Sequence, residues 1–131
     1  MLTHLGTVSL LVSDYDEAIA YYCGVLGFAL LEDTDLGAGK RWVRVAPGPD
    51  AATSLLLAQA TTAEQKAAVG RQGGGRVWLF LHTNDFARDY AALRGRGVTF
   101  LEEPRHESYG SVVVFQDCYG NKWDLLELRQ L

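Results

Sequence analysis

The feature that most constrains this chain of 131 residues is a pattern of elements that occurs twice in the same order and phase. Residues 7–12 (Thr-Val-Ser-Leu-Leu-Val) have the β-branched and aliphatic content of a strand, and Ser13 and Asp14 then supply side chains that cap helices. Ser13 with Asp16, and Asp14 with Glu17, have capping-box spacing, while Tyr15, Ile19, Tyr22 and Leu26 recur at helical intervals as one apolar stripe. Gly27 closes the stripe, because glycine takes the left-handed conformation after a helix without a Cβ clash. Residues 28–31, 41–46 and 53–59 then read as strands, the last two separated by the turn-forming Pro47-Gly48-Pro49-Asp50.

A shift of 71 positions sets Asp14 on Asp85, Tyr15 on Phe86, Ile19 on Tyr90 and Tyr22 on Leu93. The second stripe is preceded by a strand-like run at 77–82 and followed by Gly97 and by candidate strands at 98–101, 111–116 and 122–128. Each half is therefore expected to be a β-α-β-β-β unit, and the fold class α+β. The repeat rests on order and phase, since identity between the halves is low. The expected division is a single domain over 1–131, with module one at about 1–60, a linker at 61–75 and module two at 76–131. Within the linker, Thr62 and Gln65 have capping-box spacing for a short helix. Residues 72–75 (Gln-Gly-Gly-Gly) form a hinge that lets the halves pack within one chain or exchange between two. A homodimer is expected, and the sequence leaves open whether it is side by side or exchanged.

Composition narrows the partners. The length suits one domain with a real core, and 48% hydrophobic with 21% charged residues is globular usage. A net charge of -4 without any long Lys/Arg run argues against nucleic acid, whose phosphates need a clustered basic face. The amino terminus lacks a basic segment followed by an apolar stretch, and no window has the apolar length to span a bilayer, so a cytoplasmic protein without a membrane partner is expected. Cys23 and Cys118 are too few for a disulfide framework and read as reduced thiols. A small molecule is left as the expected partner.

Alternation along the strands says where such a molecule meets the chain. A helix covers one face of each module's sheet, and the opposite face must be covered otherwise or used. Val8, Leu10 and Val12 suit the helix side, leaving Thr7, Ser9 and Leu11 on the other. Val77, Leu79 and Leu81 likewise leave Trp78, Phe80 and His82. Val113, Phe115, Trp123 and Leu125 pack inward, while Val112, Val114, Gln116, Asp124 and Leu126 face a cleft.

The opening strand with Val12-Ser13-Asp14, the run Ala20-Tyr21-Tyr22 through Val25-Leu26-Gly27-Phe28, and the ending Asp117-Cys118-Tyr119-Gly120-Asn121-Lys122-Trp123-Asp124-Leu125 resemble the vicinal-oxygen-chelate, or glyoxalase/bleomycin-resistance/dioxygenase, superfamily over nearly the whole chain. The resemblance implies two modules with pseudo-twofold symmetry that form a curved, barrel-like sheet around a cleft. Members that do metal chemistry place His or Glu on the first and last strand of each unit, holding a divalent ion that chelates adjacent substrate oxygens. Mapped onto this chain, those positions are Thr7, Leu56, Trp78 and Asp124. Asp124 alone has ligand chemistry, since an indole N–H only donates and Thr and Leu offer no good donor atom. The expectation is therefore no metal and no cofactor.

The expected ligand-binding residues are Thr7, Ser9, Trp42, Leu56, Trp78, Phe80, His82, Val114, Gln116 and Asp124. His82 reads either as a ligand contact and proton carrier or as a hydrogen-bonded residue at a strand end. Trp42 and Trp78 read as an aromatic wall for a flat or cationic ligand, or as core. An ionised, unpaired Asp124 in an aromatic cleft is costly, so it should hold a partner such as Arg44, or a ligand. His4 falls on the opposite strand face from Thr7, His106 lies in a polar stretch at 104–108 read as a mobile surface loop, and Asn121 reads as a turn residue. The leading function is a metal-independent small-molecule-binding protein of the resistance type that sequesters an aromatic or cationic compound. The alternatives are a glyoxalase-like lyase or isomerase with His82 or Asp124 as general base, and an assembly or sensor module of the same fold.

Overall fold

The computed structural model describes residues 1–130; Leu131, the last residue of the expected second module, lies outside them. The chain divides into two compact units, one from Met1 to Val69 and one from Gly70 onward.

In the first unit β1 (Thr7–Val12) leads to α1 (Tyr15–Ile19), then β2 (Ala29–Gly37), β3 (Lys40–Ala46), β4 (Ser54–Gln59) and α2 (Ala63–Ala68). The sheet runs β1-β4-β3-β2, with β1 parallel to β4 and the other neighbours antiparallel. Asp14 caps α1 as its sequence position predicts, its Oδ2 accepting from the Glu17 N–H at 2.8 Å. The helix then widens into a π-helical stretch, Ala20–Val25, which closes where the Leu26 N–H donates to the Tyr21 carbonyl. The widened turn keeps Tyr22 and Leu26 buried along with Tyr15, and Ile19 is only half-buried. Against β3 and β4 these side chains close a core with Leu10, Val12, Val43, Val45, Leu55 and Leu57.

One strand runs longer than the residues 28–31 expected. β2 continues through Glu32, Asp33, Thr34 and Asp35, all exposed. Burial does not hold this stretch; pairing with β3 does, reinforced by Arg44 to Glu32 and Arg41 to Asp33 at 2.7 Å each. The hairpin turns at Ala38 (φ 56) and Gly39 (φ 80), and positive φ at both central residues matches the right-handed twist of the flanking strands.

The second unit contains β5 (Val77–His82), α3 (Phe86–Gly95), β6 (Thr99–Phe100), β7 (Arg105–Glu107), β8 (Gly110–Gln116) and β9 (Lys122–Leu128). The path is β5-β9-β8-β6, with β7 also on β8 and β5 parallel to β9. Asp85 caps α3 through the Arg88 N–H at 3.2 Å, and the helix buries Phe86 and Leu93. Aromatic rings run through the core from Trp123 stacked on Phe115 to Phe100 and Tyr90. The polar stretch at 104–108, expected as a mobile surface loop, contains a strand. Arg105, His106 and Glu107 pair with Val112, Ser111 and Gly110 as a strand, because the β8 edge accepts their backbone groups whatever their polarity.

The α+β class and the βαβββ order of both modules are as the sequence predicts, with β7 an added short strand off the path of the second sheet. Hydrogen bonding gives each module its own open sheet, not a closed barrel. Among the described residues no helix is long and apolar enough to cross a membrane, which says nothing of strands.

Candidate functional site

Register decides which side chains share the face of the first sheet opposite α1. Thr7 pairs with Ser54, Ser9 with Leu56, and Leu56 with Arg44, so Thr7, Ser9, Ser54, Leu56, Trp42 and Arg44 lie on that face. The structure thus brings together the four first-unit residues expected at a site. A polar chain crosses them: Arg44 Nε donates to Glu32 at 2.7 Å, Arg44 Nη1 donates to Ser54 Oγ at 3.2 Å, and Ser54 Oγ stands 3.3 Å from Thr7 Oγ1. Ser54 is only 3% exposed, and these bonds satisfy its hydroxyl.

Next to this chain lies a groove of about 530 Å³ with Leu11, Leu56 and Ala58 along its floor, Trp42 and Leu36 from the β2–β3 hairpin, and Gln59 and Gln65 at a polar end. Trp42 is 38% exposed. Lys40 and Arg41 also line it. Arg41 is fully engaged, bonded to Asp33 at 2.7 Å and Asp16 at 2.8 Å with its guanidinium 5.2 Å from the Tyr15 ring centroid. The hydrogen bonds to Asp33 and Asp16 raise the guanidinium above its usual range, and the bond from Arg41 lowers the Asp33 carboxyl. Leu36, Gln59 and Gln65 were not expected at a site. Leu36 follows the polar run Glu32 to Asp35, Gln59 has the strand phase of the helix-side Leu57, and Gln65 lies in α2, so the alternation that marks the open face of the sheet points to none of them.

In the second sheet Phe80 pairs with Asp124 and Asp124 with Val114, placing the three side by side across β5, β9 and β8. Phe80 is 57% exposed. Asp124 is half-buried with its Oδ1 sealed from solvent and without a hydrogen-bond partner among the described residues. Burial pushes its pKa up and the Glu102 charge adds to this, while Arg105 opposes it. Arg44, the partner expected, is held by Glu32 and Ser54; the arginine that Asp124 feels is Arg105, itself 3.1 Å from Glu102. Trp78 departs from its expected rank. A bulge between Val77 and Leu79 takes it out of the pairing, and its ring stands edge-on to the buried Trp123 at 6.1 Å. Gln116 pairs with Lys122 at the sheet end. His82 is exposed at the end of β5, beside an open hollow that also contains Asn84, Ser111 and Arg129. His4 is exposed and bonds Thr3, and His106 Nδ1 is 2.9 Å from Ser111 Oγ.

The donor set does not fit a divalent ion. Thr7 shares its hydroxyl with Ser54, Leu56 has no donor atom, Trp78 carries an indole N–H, and only Asp124 has a carboxylate. Among the described residues no three His, Cys, Asp or Glu side chains are grouped to hold a metal.

Two βαβββ modules define an α+β class, and the first of them carries a groove of small-ligand size beside an exposed tryptophan. The family model described as Glyoxalase/Bleomycin resistance protein/Dioxygenase superfamily matches residues 4–125, and the chain belongs to that superfamily. An uncharacterised protein of Shewanella frigidimarina is 50% identical over 123 residues, covering 93% of this chain and 91% of that one. Among solved structures, UcmS2 superposes with a TM-score of 0.83 at 30% identity, covering 96% of this chain and 98% of that one. TnmS3, an antibiotic binding protein from Streptomyces sp. CB03234, superposes with a TM-score of 0.79 at 32% identity over 98% of both chains.

Proposed function

We propose that the chain is a small-molecule-binding protein of the resistance type, which sequesters an aromatic compound in the groove of its first sheet and makes or breaks no bond in it. The observation that carries this reading is the groove itself: about 530 Å³, apolar along Leu11, Leu56 and Ala58, with the Trp42 ring at its wall. That volume lies within the roughly 300 to 1,000 Å³ of small-ligand sites. The likeness to TnmS3 supports it. Among the described residues the charged side chains of the groove are Lys40 and Arg41, both basic, so the occupant is an uncharged or acidic aromatic rather than a cation. Calorimetric titration of the purified chain with an aromatic series tests this. Trp42→Ala should weaken binding at least about tenfold, the scale of one stacked ring in a partly desolvated site. Equal affinity in wild type and variant would remove the groove from consideration.

A second reading is favoured by one observation, the sealed Oδ1 of Asp124, which has no hydrogen-bond partner among the described residues. A carboxyl with a raised pKa suits a general base that takes a proton from carbon next to a carbonyl, the chemistry of a glyoxalase-like lyase or isomerase. Turnover of a glutathione hemithioacetal that disappears in Asp124→Asn would support it, and no turnover by the wild-type chain would remove it.

The same reading takes the chain as one functional domain that acts as a homodimer in the cytoplasm. The net charge of -4 and the glycine-rich connector at 72–75 support this picture. Sedimentation equilibrium reporting a monomer at micromolar concentration would overturn the dimer.

A further inference from the structure

The β2–β3 hairpin leaves its sheet before it turns. β3 pairs with β4 only at Val43, Arg44 and Val45, while β2 and β3 stay paired out to Gly37 and Lys40. In that register the next partners would be Trp42 with Ala58 and Arg41 with Gln59, and neither pair forms; the Arg41 N–H donates instead to the Tyr15 hydroxyl at 3.2 Å. Residues 33–42 are thus a two-stranded arm, and the groove lies along the parting, with Leu36, Lys40 and Trp42 from the arm and Ala58, Gln59 and Gln65 from the body of the unit.

Such a ribbon is marginal on its own, since every residue from Glu32 to Lys40 is exposed and no core holds it. Its root carries a shift of register between Leu30 and Glu32, and an extra residue there bends and twists a strand pair. The base is fixed by Arg44, which bonds Glu32 and Ser54. Beyond the base, among the described residues, the hydrogen bonds that tie the arm to the rest of the unit are both made by Arg41: its N–H to Tyr15, and its Nη1 to Asp16 Oδ1 at 2.8 Å. Asp33 grips the same guanidinium through Nε at 3.1 Å and Nη2 at 2.7 Å, but Asp33 belongs to the arm and moves with it. The bond to Asp16, whose side chain is 79% exposed, is the one released at small cost.

From this we infer that the arm is a lid on the groove, latched to α1 by Arg41. Resting on the aromatic-binding reading above, the lid swings out to admit a flat occupant and returns to set Trp42 and Leu36, 38% and 52% exposed, against its ring. Opening breaks the two bonds of Arg41 and leaves the core of the unit as it is.

The test uses the full chain, wild type and Asp16→Ala, without ligand and with 8-anilinonaphthalene-1-sulfonate. In hydrogen exchange of the ligand-free protein, the amides of 33–42 should exchange about two- to fivefold faster in Asp16→Ala, the scale of a partly solvated ion pair, while those of Leu10, Val12, Leu55 and Leu57 keep their rates. Tyr15→Phe, which keeps the buried ring and loses the acceptor, should speed the same arm amides. Arm amides that speed up in neither variant, or only in step with the core, overturn the latch. In stopped-flow fluorescence the dye should both enter and leave Asp16→Ala about two- to fivefold faster than wild type, because a gate limits both directions. Unchanged rates, or a change confined to dissociation, make the arm a fixed wall and overturn the lid. Failure of the dye to bind the wild-type chain overturns the aromatic-binding reading and the lid's function with it, whereas the exchange result still decides the latch.

Discussion

Asn121 and Asp117 hold each other twice: Asn121 Nδ2 donates to Asp117 Oδ2 at 2.9 Å, and the Asn121 backbone N–H donates to Asp117 Oδ1 at 2.9 Å. The same Oδ1 takes the Tyr119 N–H, while Asn121 Oδ1 takes the Gln72 N–H at 3.0 Å. Asn121 is 2% exposed, so what reads in sequence as a turn residue is also a buried tie between the segment ahead of β5 and the turn joining β8 to β9. Removing its carboxamide deletes the bonds to Asp117 Oδ2 and from the Gln72 N–H, while Asp117 Oδ1 keeps its two backbone donors. Asn121→Ala should cost about 2 kcal/mol of unfolding free energy, about 1 kcal/mol for each hydrogen bond lost. Urea denaturation measures it, and a loss below about 0.5 kcal/mol would show that water replaces the tie.

Gly70 sits against the same turn with φ +79, and a Cβ there would lie 1.9 Å from the Tyr119 carbonyl oxygen. Gly74 has φ +64 but open space around it. Gly74→Ala should therefore cost about 1 kcal/mol for backbone strain alone, and Gly70→Ala at least about 2 kcal/mol more because the turn must move. Parallel urea curves for the two variants compare them directly.

Asp124 gives stability a pH dependence of known sign. Its pKa is raised in the folded chain, chiefly by burial, so the native state binds the proton more tightly than the unfolded state. No penalty exists below the unfolded value of about 3.9, and stability falls as pH rises from there through the raised value. Asp124→Asn should stabilise the chain at pH 7 and have a smaller effect at pH 3. Melting curves at both pH values check this; a variant less stable at pH 7 would mean the carboxylate has a native partner.

The Arg44–Glu32 pair is short at 2.7 Å but its side chains are 28% and 43% exposed. A double-mutant cycle with Arg44→Met and Glu32→Gln should return a coupling below about 1 kcal/mol, as for other partly solvated pairs. Arg44→Met alone should cost more than Glu32→Gln alone, because it also removes the donor to the buried Ser54 hydroxyl.

Where local chemistry suffices, the sequence is a sound guide. The strands at 7–12, 77–82 and 122–128 are found at those bounds, and Asp14, Thr62 and Asp85 cap the helices that follow them. At Thr62 the expected box closes differently, since the Gln65 N–H donates to Thr62 Oγ1 while Gln65 Oε1 reaches back to Thr61. The polar half of β2 and all of β7 escape a reading by hydrophobic period, because neighbouring strands and ion pairs hold them rather than burial. The bulge that takes Trp78 out of the pairing and sets it against Trp123 leaves no trace in composition.

By itself the sequence determined the order of elements, their caps and the aliphatic face of each sheet, because these depend on residues a few positions apart. Only tertiary structure decided which polar side chains are used up and which are left over. Arg44 is consumed by Glu32 and Ser54, while among the described residues Asp124 Oδ1 has no hydrogen-bond partner. Partners such as Ser13 for Gln59 stand 46 residues away in the chain, and no local pattern encodes a hydrogen bond across that distance.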